Sequence, residues 1–278
     1  MTAHAKQVGK DLTKKQPATL RRSAADIISE QPEGKLVNYS RSGYAYVSSW
    51  FGPYTVEVEG AVGAVVFGAN NKVYFRSIAS QAGLDTWIVG TVSGSTITID
   101  LPQTVYDSGE GYCLDVAKMT YEDDWYVRAD DQTVTLNYDA VTGRITTPAG
   151  NLSTGYDIIG LSYDDDLSWA GYGDWGISFE KVTDALVEAP AGLTTESYSL
   201  TAEGYTGSLV NVGFDGNDVY VQGIDVNLPD NWVKGTIDGN KVTFKSGQYV
   251  GADGVSGFHQ YLMAATAEEK YDDYCRGV

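Results

Sequence analysis

Histidine, cysteine and cationic side chains are scarce in this 278-residue chain. There are 2 His and 2 Cys, and 19 Lys and Arg stand against 37 Asp and Glu. His4 and His259 are far apart in sequence, and a proton relay or a histidine metal site needs partners at fixed geometry. Cys113 and Cys275 do not carry zinc-site spacing, and there is no Cys-x-x-Cys. Cys113 lies in an apolar, strand-like stretch and reads as a buried thiol; a bridge to Cys275 cannot be argued from spacing. The net charge of -18 repels phosphate backbones and anionic bilayers, so nucleic acid and acidic membranes are poor partners. No apolar run is long enough to span a bilayer as a helix. No Gly-x-Ser-x-Gly, Walker loop, dinucleotide fingerprint or His-Glu-x-x-His is present.

What the chain has instead is 20 Tyr and 32 Gly, with only 7 Pro. Tyrosine, threonine and valine with frequent glycine suggest strands joined by tight turns. The opening residues 1–35 include the polar, basic stretch "MTAHAKQVGKDLTKKQPATLRR" and read as a flexible arm. No apolar signal core is visible there, which fits a mature end left after export.

The chain writes one unit twice. "VYFRSIASQAGLDTWIVGTVSGSTITI" begins at Val73, and "VYVQGIDVNLPDNWVKGTIDGNKVTF" begins at Val219. Asp85, Trp87, Gly90, Thr91 and Gly94 align with Asp230, Trp232, Gly235, Thr236 and Gly239. Gln103 and Val105 align with Gln248 and Val250, and Cys113 faces His259. The apolar period is two, and "SG" or "DG" between β-rich runs marks a hairpin. A gap between "ASQAGLD" and "DVNLPD" marks a surface loop.

These patterns predict an all-β protein of antiparallel meanders. The duplicated unit forms a barrel or sandwich, with a second, smaller β unit beside it. A first domain of roughly ten strands is expected over 36–182 and a linker over 183–197. A shorter repeat of about six strands follows over 198–278, with its acidic tail closing as a short helix. A closed barrel is favoured for the first unit because it removes free edges.

"IISEQPEGKLVNYSRSGYAY", "GLSYDDDLSWAGYGDW" and "VYVQGIDVNLPDNWVKGTIDGNKVTFKSGQYVG" resemble uncharacterised, β-rich exported and surface proteins of gut Bacteroidetes. The resemblance covers most of the chain beyond about Ile27, with a further unit cut short. It implies an extracytoplasmic place: periplasm, cell surface or secreted. It carries no activity that transfers to particular residues.

Trp87 and Trp232 occupy equivalent strand positions and read as structural anchors of the repeat. Trp169, Tyr172, Asp174 and Trp175 sit in the Gly-rich "SWAGYGDWG", read as a loop. Exposed indoles beside a carboxylate there would suit sugar rings, and the competing reading folds them down as a plug. Trp50 and Trp125, near Tyr121 and Tyr126, are weaker candidates of the same kind. Acidic runs occur at Glu122-Asp123-Asp124, Asp130-Asp131 and Asp164-Asp165-Asp166. Asp164 and Asp166 are the calcium candidates, against solvated turn residues. No catalytic residue and no obligatory cofactor is expected. The function expected is a non-catalytic extracytoplasmic binding module for glycan. The alternatives are a structural or adhesive surface protein associating through its repeats, and a glycoside hydrolase whose carboxylate pair leaves no spacing signal.

Overall fold

The computed structural model describes residues 27–122, 125–148, 158–202, 205–254 and 256–264. The described residues contain no helix; they form an eight-stranded antiparallel barrel, a curled five-stranded sheet and a small two-stranded sheet. The "ADII" stretch apart from Ile27 and Ile28, the acidic tail and Cys275 lie outside the described residues. The chain divides into two compact units, Met1–Val58 with Gly63–Lys181, and Glu59–Val62 with Val182–Val278.

The first unit holds twelve strands. They are β1 (Lys35–Val47), β2 (Tyr54–Phe67), β3 (Lys72–Arg76), β4 (Trp87–Ser93), β5 (Thr96–Asp100) and β6 (Gln103–Asp107). After these come β7 (Cys113–Glu122), β8 (Trp125–Arg128), β9 (Thr133–Tyr138), β10 (Ile145–Thr146), β11 (Ile158–Tyr163) and β12 (Trp169–Lys181). The barrel runs β1-β2-β3-β4-β5-β9-β10-β12 and closes where β1 pairs β12. The other edge of β12 is shared: β10 takes its C-terminal part and β11 its N-terminal part. From β11 the sheet continues to β7, which pairs both β6 and β8.

The period-two pattern places alternate side chains inside. Phe75, Ile97, Ile99, Val134, Ile145 and Ile159 are fully buried in one cluster. Closure is what satisfies β5, whose far edge pairs β9 from Thr96–Asn137 to Asp100–Thr133. Both edges of the barrel sheet are thereby used, and the first unit is a barrel rather than a sandwich.

The second unit holds β13 (Thr195–Ala202), β14 (Tyr205–Asp215), β15 (Asp218–Gln222), β16 (Trp232–Asp238) and β17 (Lys241–Phe244) in sequential order. A separate pair is formed by β18 (Gln248–Ala252) and β19 (His259–Leu262). The repeated hairpins form as the sequence suggests. Gly94 and Gly239 each open a two-residue turn with φ of 59° and 60°, a conformation glycine adopts without strain.

The copies extend further upstream than the sequence alignment reached. Ile28 bridges Trp87, and Val187 bridges Trp232. Each lead-in residue is followed by Pro-x-Gly, at Pro32–Gly34 and Pro190–Gly192. The stretch 183–197, read from sequence as a linker, thus includes the start of the second copy, and β13 already begins at Thr195.

A glutamine locks each hairpin. The Gln103 side chain accepts from Val89 N–H (2.7 Å) and donates to Val89 O (2.7 Å) and Asp100 O (2.9 Å). Gln248 does the same with Lys234 N–H, Lys234 O and Lys245 O. Gln132 repeats it with Lys118 N–H, Lys118 O and Ala129 O. The spacing is identical in all three, so β7-β8-β9 is a third, worn copy of β4-β5-β6. Thr120, Gln132 and Val134 are what remain of its sequence signature, aligned with Thr91, Gln103 and Val105.

Candidate functional site

The stretch "SWAGYGDWG" is strand, not loop: it is the first half of β12, paired on one edge with β1 and on the other with β11. Two-sided pairing forces its side chains to alternate, so its aromatic and acidic groups separate. Trp175 is 6% exposed and packs with Ala117, Met119, Tyr126 and Ile158. Tyr44 stacks on it at 5.8 Å between ring centroids. Trp169 is half-buried against Tyr46 and Tyr126, and its indole N–H donates to Tyr172 O at 2.8 Å. Tyr172 packs partly buried against the main core. The four residues do not form an open aromatic platform, because the strand has neighbours on both edges.

Asp174 points the other way. It is 1% exposed and meets Arg41, itself buried, at 2.7 Å. Ser80 donates to it from its backbone N–H (3.1 Å) and hydroxyl (2.5 Å). Arg41 also donates to Ile78 O at 2.7 Å and lies over the Phe179 ring. The pair therefore pins residues 77–80, at the start of the β3–β4 connection, to β1 and β12. That connection is where the two copies differ in length. Burial pushes the Asp174 carboxyl above its usual range, against the opposing pull of Arg41 and Ser80.

The other buried carboxylates are also engaged. Asp115 accepts from Thr104 Oγ1 at 2.8 Å, with Arg128 Nη1 3.8 Å away. Asp253 accepts from Asn227 at 3.0 Å. A glycosidase acid needs a carboxyl that can exchange a proton with a substrate; these three spend their oxygens inside the protein. His259 is buried and its Nδ1 lies 2.9 Å from the Tyr249 hydroxyl, a satisfied histidine.

The calcium candidates are turn acceptors. Asp164 takes Cys113 N–H at 2.7 Å, and Asp166 takes Ser168 N–H at 2.9 Å. Among the described residues no group of three or more His, Cys, Asp and Glu is placed to hold a metal ion. Asp123 and Asp124 lie outside the described residues.

The repeat anchors take matching registers. Trp87 is buried against Ile28, Ala64, Val66 and Tyr74. Trp232 is half-buried, opposite Gln222.

An open feature on the first unit is a groove of about 450 Å³ beside Trp87. Its apolar lining is Ile28, Trp87, Val89 and Pro102; Thr91 and Thr98 bring hydroxyls, and Lys72 and Asp100 charges. The hairpin lock builds it: Gln103 ties the chain after Pro102 back onto β4. The sequence flagged Trp87 and Gln103 as repeated positions. It gave no binding role to Thr91 and Thr98, which face outward on β4 and β5 and look like ordinary strand residues. At the β1–β2 turn, Trp50 and Phe51 are 96% and 97% exposed. Ser49 Oγ, bonding Gly52 O and Phe51 N–H, shapes that turn.

No protein-family model, no curated protein and no solved structure matches this chain.

Proposed function

We propose that the chain is a non-catalytic binding module that works outside the cytoplasm and takes glycan in the groove beside Trp87. The observation that carries the reading is the groove's lining: an apolar wall with two threonine hydroxyls, a carboxylate and an ammonium around it. A sugar ring offers a C–H face to such a wall and hydroxyls to such a rim. Its volume of about 450 Å³ lies within the range of small-ligand sites. The resemblance to exported Bacteroidetes proteins supports the extracytoplasmic place. Among the described residues, engagement of the three buried carboxylates, Asp115, Asp174 and Asp253, by internal partners favours binding over hydrolysis.

The test is a glycan array probed with wild type, Asp100→Ala and Thr98→Val. Both substitutions are at outward positions of β5 and leave the barrel interior alone. Signal on wild type that falls at least tenfold in either variant supports the groove. Equal signal in all three removes it. Signal lost only in a Trp50→Ala/Phe51→Ala variant moves the site to the β1–β2 turn.

A further inference from the structure

The two copies treat the same strand differently. In the first unit, Ile97 and Ile99 of β5 are both 0% exposed, because β9 lies along the edge. Their counterparts in the second unit are Val242 and Phe244 of β17, since Thr236–Thr243 pairs as Thr91–Thr98 does. Val242 is 42% exposed and Phe244 36%. β17 is the last strand of its sheet. Phe214 continues the same face. It pairs Val219 as Phe67 pairs Val73. Phe67 rests on Tyr138 of β9 at 5.7 Å between ring centroids, whereas Phe214 is 52% exposed.

The backbone is presented as well. Lys241 and Asp238 flank a two-residue turn, so the amides of Lys241 and Thr243 face β16. Those of Val242 and Phe244 face outward. The same parity holds in β5, where the neighbouring Ser95 O and Leu101 N–H bond to β9 and its flank. An exposed edge with an apolar inner face is a template for strand addition.

Charge selects the occupant. Lys241 opens β17 and Lys245 directly follows it, both exposed, in a chain of net charge -18. A second copy pairing β17 with β17 in the register centred on Thr243 would set each Lys241 against a Lys245. Directly opposed like charges destabilise a strand pair. The first unit shows which strand shape covers this edge. β9 runs antiparallel to it, with Val134 and Leu136 inward and Tyr138 after them.

We propose that β17 takes up an extended antiparallel strand from a partner protein. That strand carries apolar residues at two alternate positions, opposite Phe244 and Val242, and an aromatic residue two further on, over Phe214. Acidic residues on its other face lie opposite Lys245 and Lys241. This inference is independent of the groove beside Trp87, which lies on the other unit.

The test uses the full chain and two labelled synthetic peptides with the sequence of Asp131–Asp139. One carries Thr133→Asp and Asn137→Asp, the other Thr133→Lys and Asn137→Lys. Fluorescence anisotropy should show saturable binding of the acidic peptide and at least tenfold weaker binding of the basic one. Val242→Pro removes an outward N–H without touching the β16 ladder, and should abolish binding while the circular dichroism spectrum stays that of wild type. Lys241→Glu/Lys245→Glu, at exposed positions, should reverse the preference between peptides, and it carries the test if the proline variant misfolds. Absence of saturable binding, equal affinity for both peptides, or binding that survives Val242→Pro overturns the proposal. A concentration-dependent dimer abolished by Val242→Pro would assign the edge to a second copy and overturn it too. So would a chain ending at Ala264 that binds more tightly than the full chain, which would assign the edge to residues 265–278.

Discussion

Replacing Arg41 by Met removes one charge of a pair that is almost wholly out of water. Asp174 keeps the two Ser80 donors but loses its counter-charge at 2.7 Å. Ile78 O loses its guanidinium donor. Breaking a buried pair by removing one partner costs roughly 3–5 kcal/mol, because the other charge stays buried. Asp174→Asn strands the guanidinium instead and should cost a similar amount. Arg41→Met/Asp174→Asn strands neither, so its cost should be close to one single substitution rather than the sum of two. In a unit of this size ~3–5 kcal/mol corresponds to a fall in Tm of roughly 6–20 °C. Urea unfolding followed by tryptophan fluorescence is the assay, since Trp175 adjoins Asp174 and reports on the first unit. The pH sign is also set. Without Arg41, burial of the Asp174 carboxyl is opposed only by the Ser80 donors, and its folded pKa rises further above the unfolded value. A raised carboxyl pKa means the folded chain binds the proton more readily, so stability falls as pH rises through that window. The deficit of Arg41→Met relative to wild type should therefore be smaller at pH 4 than at pH 8. Single substitutions that each cost under about 1 kcal/mol, or strictly additive effects, would refute the view that this pair pins the β3–β4 connection.

The two repeat glycines should separate by context. A Cβ on Gly90 would lie 2.9 Å from Thr98 O, a backbone atom inside a closed barrel, while one on Gly235 would meet only side chains, Val219 Cγ1 at 3.0 Å and the Phe244 ring of the edge strand β17 at 3.1 Å. Gly90→Ala should cost about 1–3 kcal/mol, as overpacked sites do, and Gly235→Ala clearly less, measured by urea unfolding of each variant. Tyr261 donates to Asp184, and burial followed by that contact pushes its phenol up to about 12. Burial also pushes Tyr39 and Tyr249 up, so absorbance titration near 295 nm should show one fewer late-ionising tyrosine in Tyr261→Phe than in wild type. Because the folded pKa lies above the unfolded value of about 10, the stability this group contributes is complete below pH 10 and lost as pH rises towards 12.

Trp175 and Asp174 show why the candidate ligand site was hard to read. Their neighbours in sequence are glycines, which suggested a loop. Gly171 and Gly176 do have positive φ, but as irregularities within a long strand held on both edges. Nothing local announces that Asp174 will meet Arg41, 133 residues away. The third hairpin copy is hard to see in sequence for a related reason. Its surviving signature is Thr120, Gln132 and Val134, too sparse to align, and the shared device is a side-chain bridge visible only as hydrogen bonds. The start of the second copy was legible in principle: Pro-x-Gly at 32–34 recurs at 190–192, but the proline there had suggested a linker.

Alternation, Asp-Gly and Ser-Gly turns and the duplicated run at Val73 and Val219 were sufficient by themselves to specify antiparallel hairpins and an all-β chain. Those features act between near neighbours, where side-chain period and turn geometry decide the outcome. Only the tertiary structure decided that β5 is sealed by β9 while among the described residues no strand covers the second edge of its twin β17, and that Arg41 enters the interior to meet Asp174. Strands that share only their alternation cannot encode that difference, because what buries a strand's second edge is supplied by another part of the chain.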